Sequence, residues 1–548
     1  MENYRLFLIY ALFLVLFFMW NAWQTDYGVS PLSSFSTALI PDEVIETAKQ
    51  AENKASAVNM PSSHEPVTTS NSAINSKFVE VITDLLKVKI SLSDANLFEA
   101  QLLDYPISLK EPNELVHLLH PADPDLFIAQ SGVYTAAGTS IIPKDAEFSV
   151  PSTNYHLTGA QDSLSVPLTW KESDDIIITK TYIFKRGSYQ VDIALKVENG
   201  TSNSWAGQAY TQFSRTPPES EGFYSNRFYT GAVFSTEDHD YKKITFKDLD
   251  SDTFESHSLN GWVAMLQHYF VAAWIPRDEG KNYYYGRHSQ NNTYITGVVS
   301  PQQMLNSGES GIFDFTLFIG PKVLDQLAAA APKLQLTIDY GKLTVIAEPL
   351  FWLLHWFYKH VGNWGWAIVL LTIVIKAAFF KLSQTSYRSM AKLRKLHPQL
   401  TAIKERFGND RQKVGQAMIE LYKKEKVNPM GGCFPILVQI PVFIALYWML
   451  QESVELRQAP FILWMNDLTS KDPYYVLPLI MGVTMIIQQK LSPTPTDPLQ
   501  AKVMMLMPIT FTFFFALFPA GLVLYWVVNN ILSITQQWYI TRQIEKEH

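Results

Sequence analysis

Alternating residues and long apolar runs divide this chain into two parts of different character. From about Lys77 to Gly320, apolar and polar residues alternate, with turn signals between short runs. From about Trp352 to Trp538, apolar stretches dominate and are broken by one basic segment. A period of two is typical of β-strands, whereas apolar runs of about 18 residues or more are typical of membrane-spanning helices. The pattern therefore predicts a β domain joined to a polytopic α-helical membrane domain.

The sequence of the first part predicts many short strands. Ile176 to Phe184 and Tyr189 to Val197 are β-branched and aromatic runs joined through Lys185-Arg186-Gly187-Ser188, which is a hairpin signal. Similar runs are Phe78 to Ser91, Phe228 to Phe234, Trp262 to Trp274, Tyr294 to Val299 and Gly311 to Ile319. This number of strands with turns between them predicts a large antiparallel β-sandwich.

The second part reads as five spans, and the N-terminus supplies a sixth. The predicted spans are Val361 to Phe380, Gly431 to Leu450, Tyr475 to Lys490, Leu499 to Leu517 and Gly521 to Gln537. Pro519 and Gly521 mark a turn between the last two. Leu6 to Trp23 is an apolar run without a small-residue cleavage site, so we interpret it as an uncleaved signal anchor.

These patterns predict five segments. We expect a signal-anchor span over 1–23, a flexible tether rich in Ala, Ser, Pro and Asn over 24–75, and the β-sandwich over 76–320. An interfacial helical segment is expected over 321–358, because Glu348, Pro349 and His355 interrupt its apolar run. The helical core, with a hairpin at 381–429, occupies 359–548.

Charge gives the orientation of the membrane part. The loop from Lys381 to Pro429 carries twelve Lys and Arg against four acids, a net +8. Because the whole chain has a formal charge of -7, the remainder sums to -15. The positive-inside rule places the loop in the cytoplasm and the acidic β domain outside.

The basic loop has the pattern of a helical hairpin. Ser386 to Phe407 is predicted as one arm, with a break near His397 caused by Pro398. Gly408-Asn409 is the turn, and Asp410 is the N-cap of a second arm running to Lys426. A solvated loop with positive-inside bias explains the sign of the charge, but its density also suits ribosomal RNA or anionic lipid headgroups.

Lys376 lies inside the second predicted span, where a charge is unfavourable unless it is paired, hydrated or required for function. A lysine at a helix centre costs roughly 2.5 to 3.5 kcal/mol on insertion scales. The simplest interpretation is snorkelling, because Lys381 follows five residues later, roughly 7 Å along the helix. The alternative is that Lys376 faces a hydrated cavity.

Polar residues in other spans favour the cavity. Thr372 lies one turn before Lys376, and Gln439 stands between Pro435 and Pro441 in the third span. The sixth span carries a polar stripe of Trp526, Asn529, Asn530, Ser533 and Gln537. The competing explanation is that Asn and Ser join helices by hydrogen bonds.

The sequence offers little for covalent or metal chemistry, so we predict no enzyme activity, cofactor or metal. Cys433 is the single cysteine and falls in a predicted span, so the outside domain has no disulfide. His117 and His120 are close enough to suggest a ligand pair, but surface or core histidines are the better interpretation because further ligands do not follow. The sequence contains no phosphate-binding Gly-Lys motif of the P-loop kind.

Three long segments carry a resemblance to a known family. Residues 428–450 (NPMGGCFPILVQIPVFIALYWML), 453–485 and 518–530 (FPAGLVLYWVVNN) resemble the YidC/Oxa/Alb insertases, in particular the bacterial inner-membrane members. The resemblance runs from about Gly341 to the end of the chain. The signal anchor followed by a large outside β domain is similar to the arrangement in Gram-negative members.

The resemblance implies a five-helix insertase core with a groove open to cytoplasm and lipid, a cytoplasmic hairpin, and a periplasmic β-supersandwich. By position it implies a groove lined by Lys376, Thr372, Gln439, Trp526, Asn529 and Ser533. It also implies hairpin contacts to ribosome or client through Arg394, Lys395, Arg406, Arg411 and Lys413. The implied partners are nascent membrane proteins, the Sec translocon (SecYEG and SecDF), the ribosome and the lipid bilayer of the inner membrane. Relatives usually carry arginine where this chain has Lys376, and an ammonium cannot form a bidentate fork.

Two rival functions stay open at this point. One is a membrane-tethered periplasmic carbohydrate-active or carbohydrate-binding protein, with the β domain as its working part. The other is a transporter with Lys376 in the substrate site, although internal repeats are not detected in the sequence.

The charge distribution makes a prediction about topology. A label at Asn409 should be reached only from the cytoplasm, and one at Gly187 only from outside, because positive charge is concentrated in Lys381 to Pro429. Single-cysteine variants in a Cys433→Ser background, treated with a membrane-impermeant thiol reagent, measure this. Labelling of both positions from the same side would refute the predicted orientation.

Overall fold

The computed structural model describes residues 77–546, apart from 123, 144–145, 172–174, 219–227, 290–291, 409, 426, 428–433 and 492–497. The predicted signal anchor and tether lie outside the described residues, as do Asn409 and Cys433. The chain divides into two compact units, of which one contains the strands together with segment 447–459 and the other contains the helices of 349–446 and 460–548.

The strands form two sheets, as the alternating pattern predicts. In chain order they are β1 (Phe78–Ile82), β2 (Leu86–Ser91), β3 (Leu97–Ser108), β4 (Glu111–Leu119), β5 (Phe127–Thr135), β6 (Asn154–His156), β7 (Ser163–Lys171), β8 (Ile176–Lys185), β9 (Gln190–Asn199), β10 (Trp205–Arg215), β11 (Gly231–Ser235), β12 (Lys242–Ile244), β13 (Phe254–Ser258), β14 (Trp262–Leu266), β15 (Phe270–Pro276), β16 (Asn282–Ser289), β17 (Thr293–Val299), β18 (Gln303–Leu305) and β19 (Ser310–Pro321).

Within the described residues, one sheet has eleven strands and the other has eight. The larger sheet runs β13-β16-β17-β10-β5-β3-β2-β1-β6, and the smaller runs β12-β11-β14-β15-β19-β9-β8-β7. Pairing is antiparallel except between β1 and β6. The predicted β8–β9 hairpin is confirmed, with Phe184 opposite Val191 and a left-handed Gly187 in the turn.

A lysine occupies the inward face of β8 and joins the two sheets. Alternate residues of β8 are buried, and Lys180 takes an inward position that the pattern assigns to an apolar residue. Only 1% of Lys180 is exposed. Its Nζ donates to the carbonyl of Ser131 on β5 at 3.0 Å and to Asn96 Oδ1 at 3.3 Å. Burial lowers the pKa of Lys180 to about 7, partly opposed by Asp94.

The helices are α1 (Phe246–Ser251), α2 (Leu324–Ala330), α3 (Thr344–Val361), α4 (Trp364–Ala378), α5 (Phe380–Phe407), α6 (Arg411–Lys424), α7 (Phe434–Glu452), α8 (Val476–Leu491), α9 (Pro498–Phe515) and α10 (Ala520–Lys546). Among the described helices, none alone combines the length and mean hydropathy of a membrane span, whereas α4 and α5 do so as a pair bent by 66°.

The basic hairpin is formed by α5 and α6. Asp410 caps α6 as predicted, because its carboxylate accepts from the amide of Lys413 at 3.1 Å. Gly408, with φ of 52°, ends α5. The predicted break near His397 is wrong, since α5 continues through Pro398. A proline removes one helical hydrogen bond, but a helix packed along its apolar side tolerates this loss, and Leu396 and Leu400 are buried on either side.

Segment 447–459 is tied to the β-sandwich by polar contacts inside the same unit. Lys322 and Glu452 form an ion pair at 3.9 Å with both side chains buried. The ring Nε2 of His268 lies 2.9 Å from the carbonyl of Gln451. Arg457 donates to the carbonyl of Pro106 at 2.8 Å. These bonds attach the last turn of α7 and the chain after it to β3, to the turn between β14 and β15 and to the residue that follows β19.

The buried lysine predicts a pH dependence of stability. The pKa of Lys180 is near 7 when folded and 10.5 in the reference state, so the unfolded chain binds more protons between these values. The folded state is therefore penalised below pH 7, and this penalty is relieved as the pH rises toward 10.5. Relative to Lys180→Met, wild-type stability should rise by about 2 kcal/mol between pH 7 and 9, or about 5 °C in Tm.

Thermal unfolding of the full-length chain in detergent, followed by circular dichroism, measures this difference. Lys185→Met is the matched control, because Lys185 lies on the same strand with its side chain exposed, paired to Asp192. The control should follow the wild-type slope. Parallel curves for wild type and Lys180→Met would contradict a deprotonating core lysine.

Candidate functional site

The candidate site lies where α4, α7 and α10 meet in the helical unit. α10 packs against α4, α5 and α8. It buries four polar side chains at successive turns, namely Asn529, Asn530, Ser533 and Gln537. Burying such groups among apolar neighbours is unfavourable unless they find partners, because an unpaired buried polar group costs about 1 to 3 kcal/mol. The partners of each residue therefore decide what it does.

The position of Lys376 is set at the start of α4. Asn363 caps this helix by accepting from the amide of Trp366 at 3.1 Å. Its side-chain amide also donates to the carbonyl of Phe461 at 3.0 Å, which ties the cap to the loop after α7. Gly365 packs so closely on Phe461 that a Cβ atom there would lie 2.0 Å from the ring. The start of α4 is thus fixed by a bond and by a tight contact.

Lys376 reaches α10 through one short hydrogen bond. Its Nζ donates to Ser533 Oγ at 2.7 Å, and the Ser533 hydroxyl donates in turn to the carbonyl of Asn529 at 2.7 Å. The Lys376 side chain is only half-buried. Within the described residues, it has no carboxylate within 4.0 Å. An ammonium has three donors, so this arrangement leaves capacity for water or for an anionic group.

Gln439 extends the network onto α7. Its side-chain amide donates to Asn529 Oδ1 at 2.6 Å and to the Tyr525 hydroxyl at 3.2 Å. Polar contacts therefore run from Lys376 through Ser533 and Asn529 to Gln439 and Tyr525. The predicted residues Lys376, Gln439, Asn529 and Ser533 are brought together by three helices. Tyr525 was missed, although it lies one turn before Asn529 on the same helical face.

The rest of the polar stripe faces a different helix. Asn530 donates to Thr484 Oγ1 on α8 at 3.2 Å, and the Gln537 amide donates to the carbonyl of Leu491 at 3.0 Å. These two residues join α10 to α8 by hydrogen bonds, which is the competing explanation for a polar stripe. The two explanations thus apply to different residues of one helix.

Thr372 and Trp526 are placed beside the network without a hydrogen bond to it in the described structure. Thr372 is fully buried, and its hydroxyl donates to the carbonyl of Ile368 in its own helix at 2.7 Å. Trp526 packs its ring against Phe443 and Phe515, with centroids 5.1 and 5.6 Å away. The indole N–H of Trp526 is buried without a partner among the described residues.

The basic side chains of the hairpin point to solvent. Arg394, Lys395, Arg406 and Lys413 are all exposed, and Arg411 lies in the first turn of α6. Lys413 also pairs with Asp410 at 3.1 Å. Buried Leu396, Leu400 and Val414 supply the apolar contact of the hairpin. Exposed basic side chains thus lie on the outside of the hairpin, while buried apolar side chains hold its two arms together.

Helices of the same unit also expose many apolar side chains. They lie on three helices: Leu437, Ile440 and Ile444 on α7; Leu479, Ile480 and Val483 on α8; and Val503, Leu506 and Phe513 on α9. Exposed apolar side chains in this number are typical of surfaces that contact lipid or another apolar chain.

Comparison with known proteins covers almost the whole chain. The family model described as 60Kd inner membrane protein matches residues 356–547, and the one described as YidC periplasmic domain matches residues 78–353. A protein named membrane protein insertase YidC from Nitrosococcus oceani is 63% identical, with all of both chains covered. Its counterpart from Methylococcus capsulatus is 48% identical, over 100% of this chain and 99% of that one.

A solved structure is also similar. The crystal structure described as active YidC insertase with the first transmembrane domain resolved is 19% identical and has a TM-score of 0.40. It covers 84% of this chain and 92% of that chain. At this TM-score the overlap of the two folds carries no argument, so the assignment of a family rests on the sequence matches.

Proposed function

This chain belongs to the family of the membrane protein insertase YidC, with its periplasmic β-sandwich domain and C-terminal helices, and we propose that it inserts and helps to fold proteins of the bacterial inner membrane. The single observation that carries the proposal is the contact between Lys376 and Ser533, continued to Gln439, in a chain whose relatives are insertases. A carbohydrate-active protein and a transporter find no support in the family.

We further propose a six-span topology. The spans are the signal anchor, α4 and α7 to α10, with the β domain outside and the α5–α6 hairpin in the cytoplasm. α4 has 15 residues and rises about 22 Å, less than the roughly 30 Å of a hydrocarbon core. A short helix is accommodated by thinning of the bilayer or by water reaching its end. Lys376 lies two residues before that end, so its ammonium faces a thinned and hydrated region.

The proposed groove lowers the cost of moving a polar tail through lipid. Lys376 offers a positive charge, while Ser533, Asn529 and Gln439 offer hydrogen bonds that would otherwise have to come from water. A carboxylate 4 Å from the ammonium gains at most about 4 kcal/mol at an effective dielectric of 20, before desolvation is subtracted. A tail held in this way crosses only the remaining thickness of hydrocarbon.

The hydrophobic segment of the client follows a different surface. The exposed apolar faces of α7, α8 and α9 offer it contact while it moves into the bilayer. Its burial in lipid supplies about 25 cal/mol per Å² of apolar area, which drives the process without a nucleotide. The proposal contains no covalent step, cofactor or metal, and so describes an insertase and not a catalyst of bond chemistry.

The exposed hairpin charges suit contact with the ribosome, nascent chains or anionic headgroups. Arg394, Lys395, Arg406 and Lys413 are presented on one helical hairpin, and Arg411 belongs to the same sequence cluster. Clustered basic residues bind phosphates by releasing counterions, so such contacts weaken steeply with salt. We also propose a Sec translocon partner, on the basis of the family resemblance alone.

Reconstitution tests the proposed activity directly. Full-length protein in liposomes should insert a short single-spanning client without ATP or any ATPase, because apolar burial supplies the driving force. Protection of the translocated tail from added protease measures insertion, with empty liposomes as the control. Insertion no greater than in empty liposomes would contradict the proposal.

Lys376 can be tested with clients that differ only in tail charge. Lys376→Leu should reduce insertion of an acidic-tailed client about fivefold more than that of a neutral-tailed client, equivalent to about 1 kcal/mol. Lys376→Arg should preserve insertion of both. Loss of the lysine does not leave Ser533 unpaired, because its hydroxyl still donates to Asn529.

Lys381→Leu is the matched control for charge near the cytoplasmic surface. Lys381 follows on α5 and is exposed, so the selectivity for acidic tails should survive its removal. If Lys376→Leu inserted both clients as well as the wild type, the charge-based mechanism would be refuted. Insertion would then depend only on hydration of the groove and on contact between the client and the apolar helix faces.

A further inference from the structure

A buried arginine in the β domain faces a cavity that the insertase mechanism does not use. Arg215 is the last residue of β10, opposite Phe127 at the start of β5. Only 4% of Arg215 is exposed. A cavity of about 230 Å³ lies beside it, lined also by His117, His120, Asp125 and Gln267. Typical drug-sized sites measure roughly 300–1,000 Å³, so this one suits a small molecule.

The guanidinium of Arg215 is held in place but incompletely paired by the described residues. Its Nη1 donates to the carbonyl of Leu266 at 3.1 Å, and the group lies 4.6 Å from the centre of the Phe127 ring. Within the described residues, it has no carboxylate within 4.0 Å. Burial lowers the pKa of Arg215 to about 10, so the group is still charged at pH 7. A buried cation without a paired anion is expensive, and four of its five N–H donors lack a described protein acceptor.

Neighbouring groups add donors to the same cavity. The backbone N–H of Ala122 donates to His120 Nδ1 at 3.3 Å, so Nε2 is the ring nitrogen that carries a hydrogen. Burial lowers the pKa of His117, which favours its neutral form. Gln267, in the turn between β14 and β15, contributes a half-buried amide. The cavity thus combines one fixed cation with further hydrogen-bond donors.

Asp125 limits the ligands that would fit. It lines the cavity at more than 4.0 Å from the guanidinium, and its charge acts on Arg215. The negative charge of Asp125 disfavours multiply charged anions such as phosphate. Its carboxylate oxygens accept hydrogen bonds from hydroxyl groups. A carboxylate that carries hydroxyl groups satisfies both sides of the cavity.

We infer that this cavity binds a small hydroxylated carboxylate, such as a sugar acid, with the carboxylate on Arg215 and a hydroxyl on Asp125. The pairing is of the bidentate kind that arginine makes with carboxylates. This site is separate from the proposed insertion groove and does not depend on it. It assigns the β domain a ligand-binding function of its own.

Calorimetric titration of the full-length protein in detergent tests the inference. The probes are glucuronate, glucose as its uncharged counterpart, and inorganic phosphate. Glucuronate should bind with a stoichiometry of one, while glucose and phosphate should bind at least about tenfold more weakly, since each lacks one of the two matched features. Absence of saturable glucuronate binding, or equal binding of glucose, would overturn the inference.

Two variants locate the binding at the cavity. Arg215→Met keeps the volume and removes the charge, and should weaken glucuronate binding at least about tenfold. Because this buried change could unfold the domain, Gln267→Glu serves as a second variant: it adds a negative charge at a half-buried turn position and should also abolish binding.

Arg186→Met is the matched control. Arg186 lies in the β8–β9 turn, exposed and bonded to the carbonyls of Gln161 and Gly159. Its removal should leave glucuronate affinity unchanged. Glucuronate binding that Arg215→Met and Gln267→Glu both leave at the wild-type level would place the ligand elsewhere and refute the assigned site.

Discussion

An ammonium inside a bundle of apolar helices must be solvated, and in the helical unit this requirement determines the arrangement around it. Lys376 meets it through Ser533, whose hydroxyl both accepts from the lysine and donates to the backbone of Asn529. Asn529 in turn accepts from Gln439. Each member is therefore oriented by the next. Removing one member of such a network costs more free energy than its own pairwise bonds suggest. The polar contacts that join α4, α7 and α10 thus begin at one cation.

The β domain solves the same problem of buried charge differently. Lys180 is enclosed between the sheets and bonded to neutral oxygens, with burial lowering its pKa. Lys322 is paired with Glu452. Arg215 faces a cavity and keeps its charge. The three buried cations thus differ: Lys180 has a lowered pKa, Lys322 is paired with a carboxylate, and Arg215 faces a cavity that a ligand can occupy. Their local partners, and not burial alone, distinguish them.

Much of the fold could be predicted from local patterns. The β8–β9 hairpin follows from alternation and a glycine turn, and the α6 cap follows from Asp410. β5 and β10 were missed, because they carry Ser, Gly and Gln at positions that only the opposing sheet buries. The predicted break at Pro398 failed for a similar reason, since tertiary packing outweighs a local helix penalty.

The candidate site was predicted only in part, because the sequence shows which residues are polar but not which residues they contact. Polar residues on an apolar helix are visible in sequence, so Lys376, Gln439, Asn529 and Ser533 could be named. Which neighbour each one bonds is not visible, because it depends on helix rotation and crossing. Hence Asn530 and Ser533 look alike in the stripe, yet one bonds α8 and the other Lys376. Arg215 gave no local signal, since a strand-end arginine is common.

The outer strand of the eight-stranded sheet affects how the β domain assembles. β7 forms one border of that sheet, and Pro167 stands in its middle opposite Thr181. A proline has no N–H to offer a passing strand, and Lys171 adds charge at the end of β7. A β domain without a disulfide to hold early structure is most exposed to fibrous self-association while it assembles. A proline at this border interrupts the template for such growth and so favours pairing within the sheet over pairing between chains.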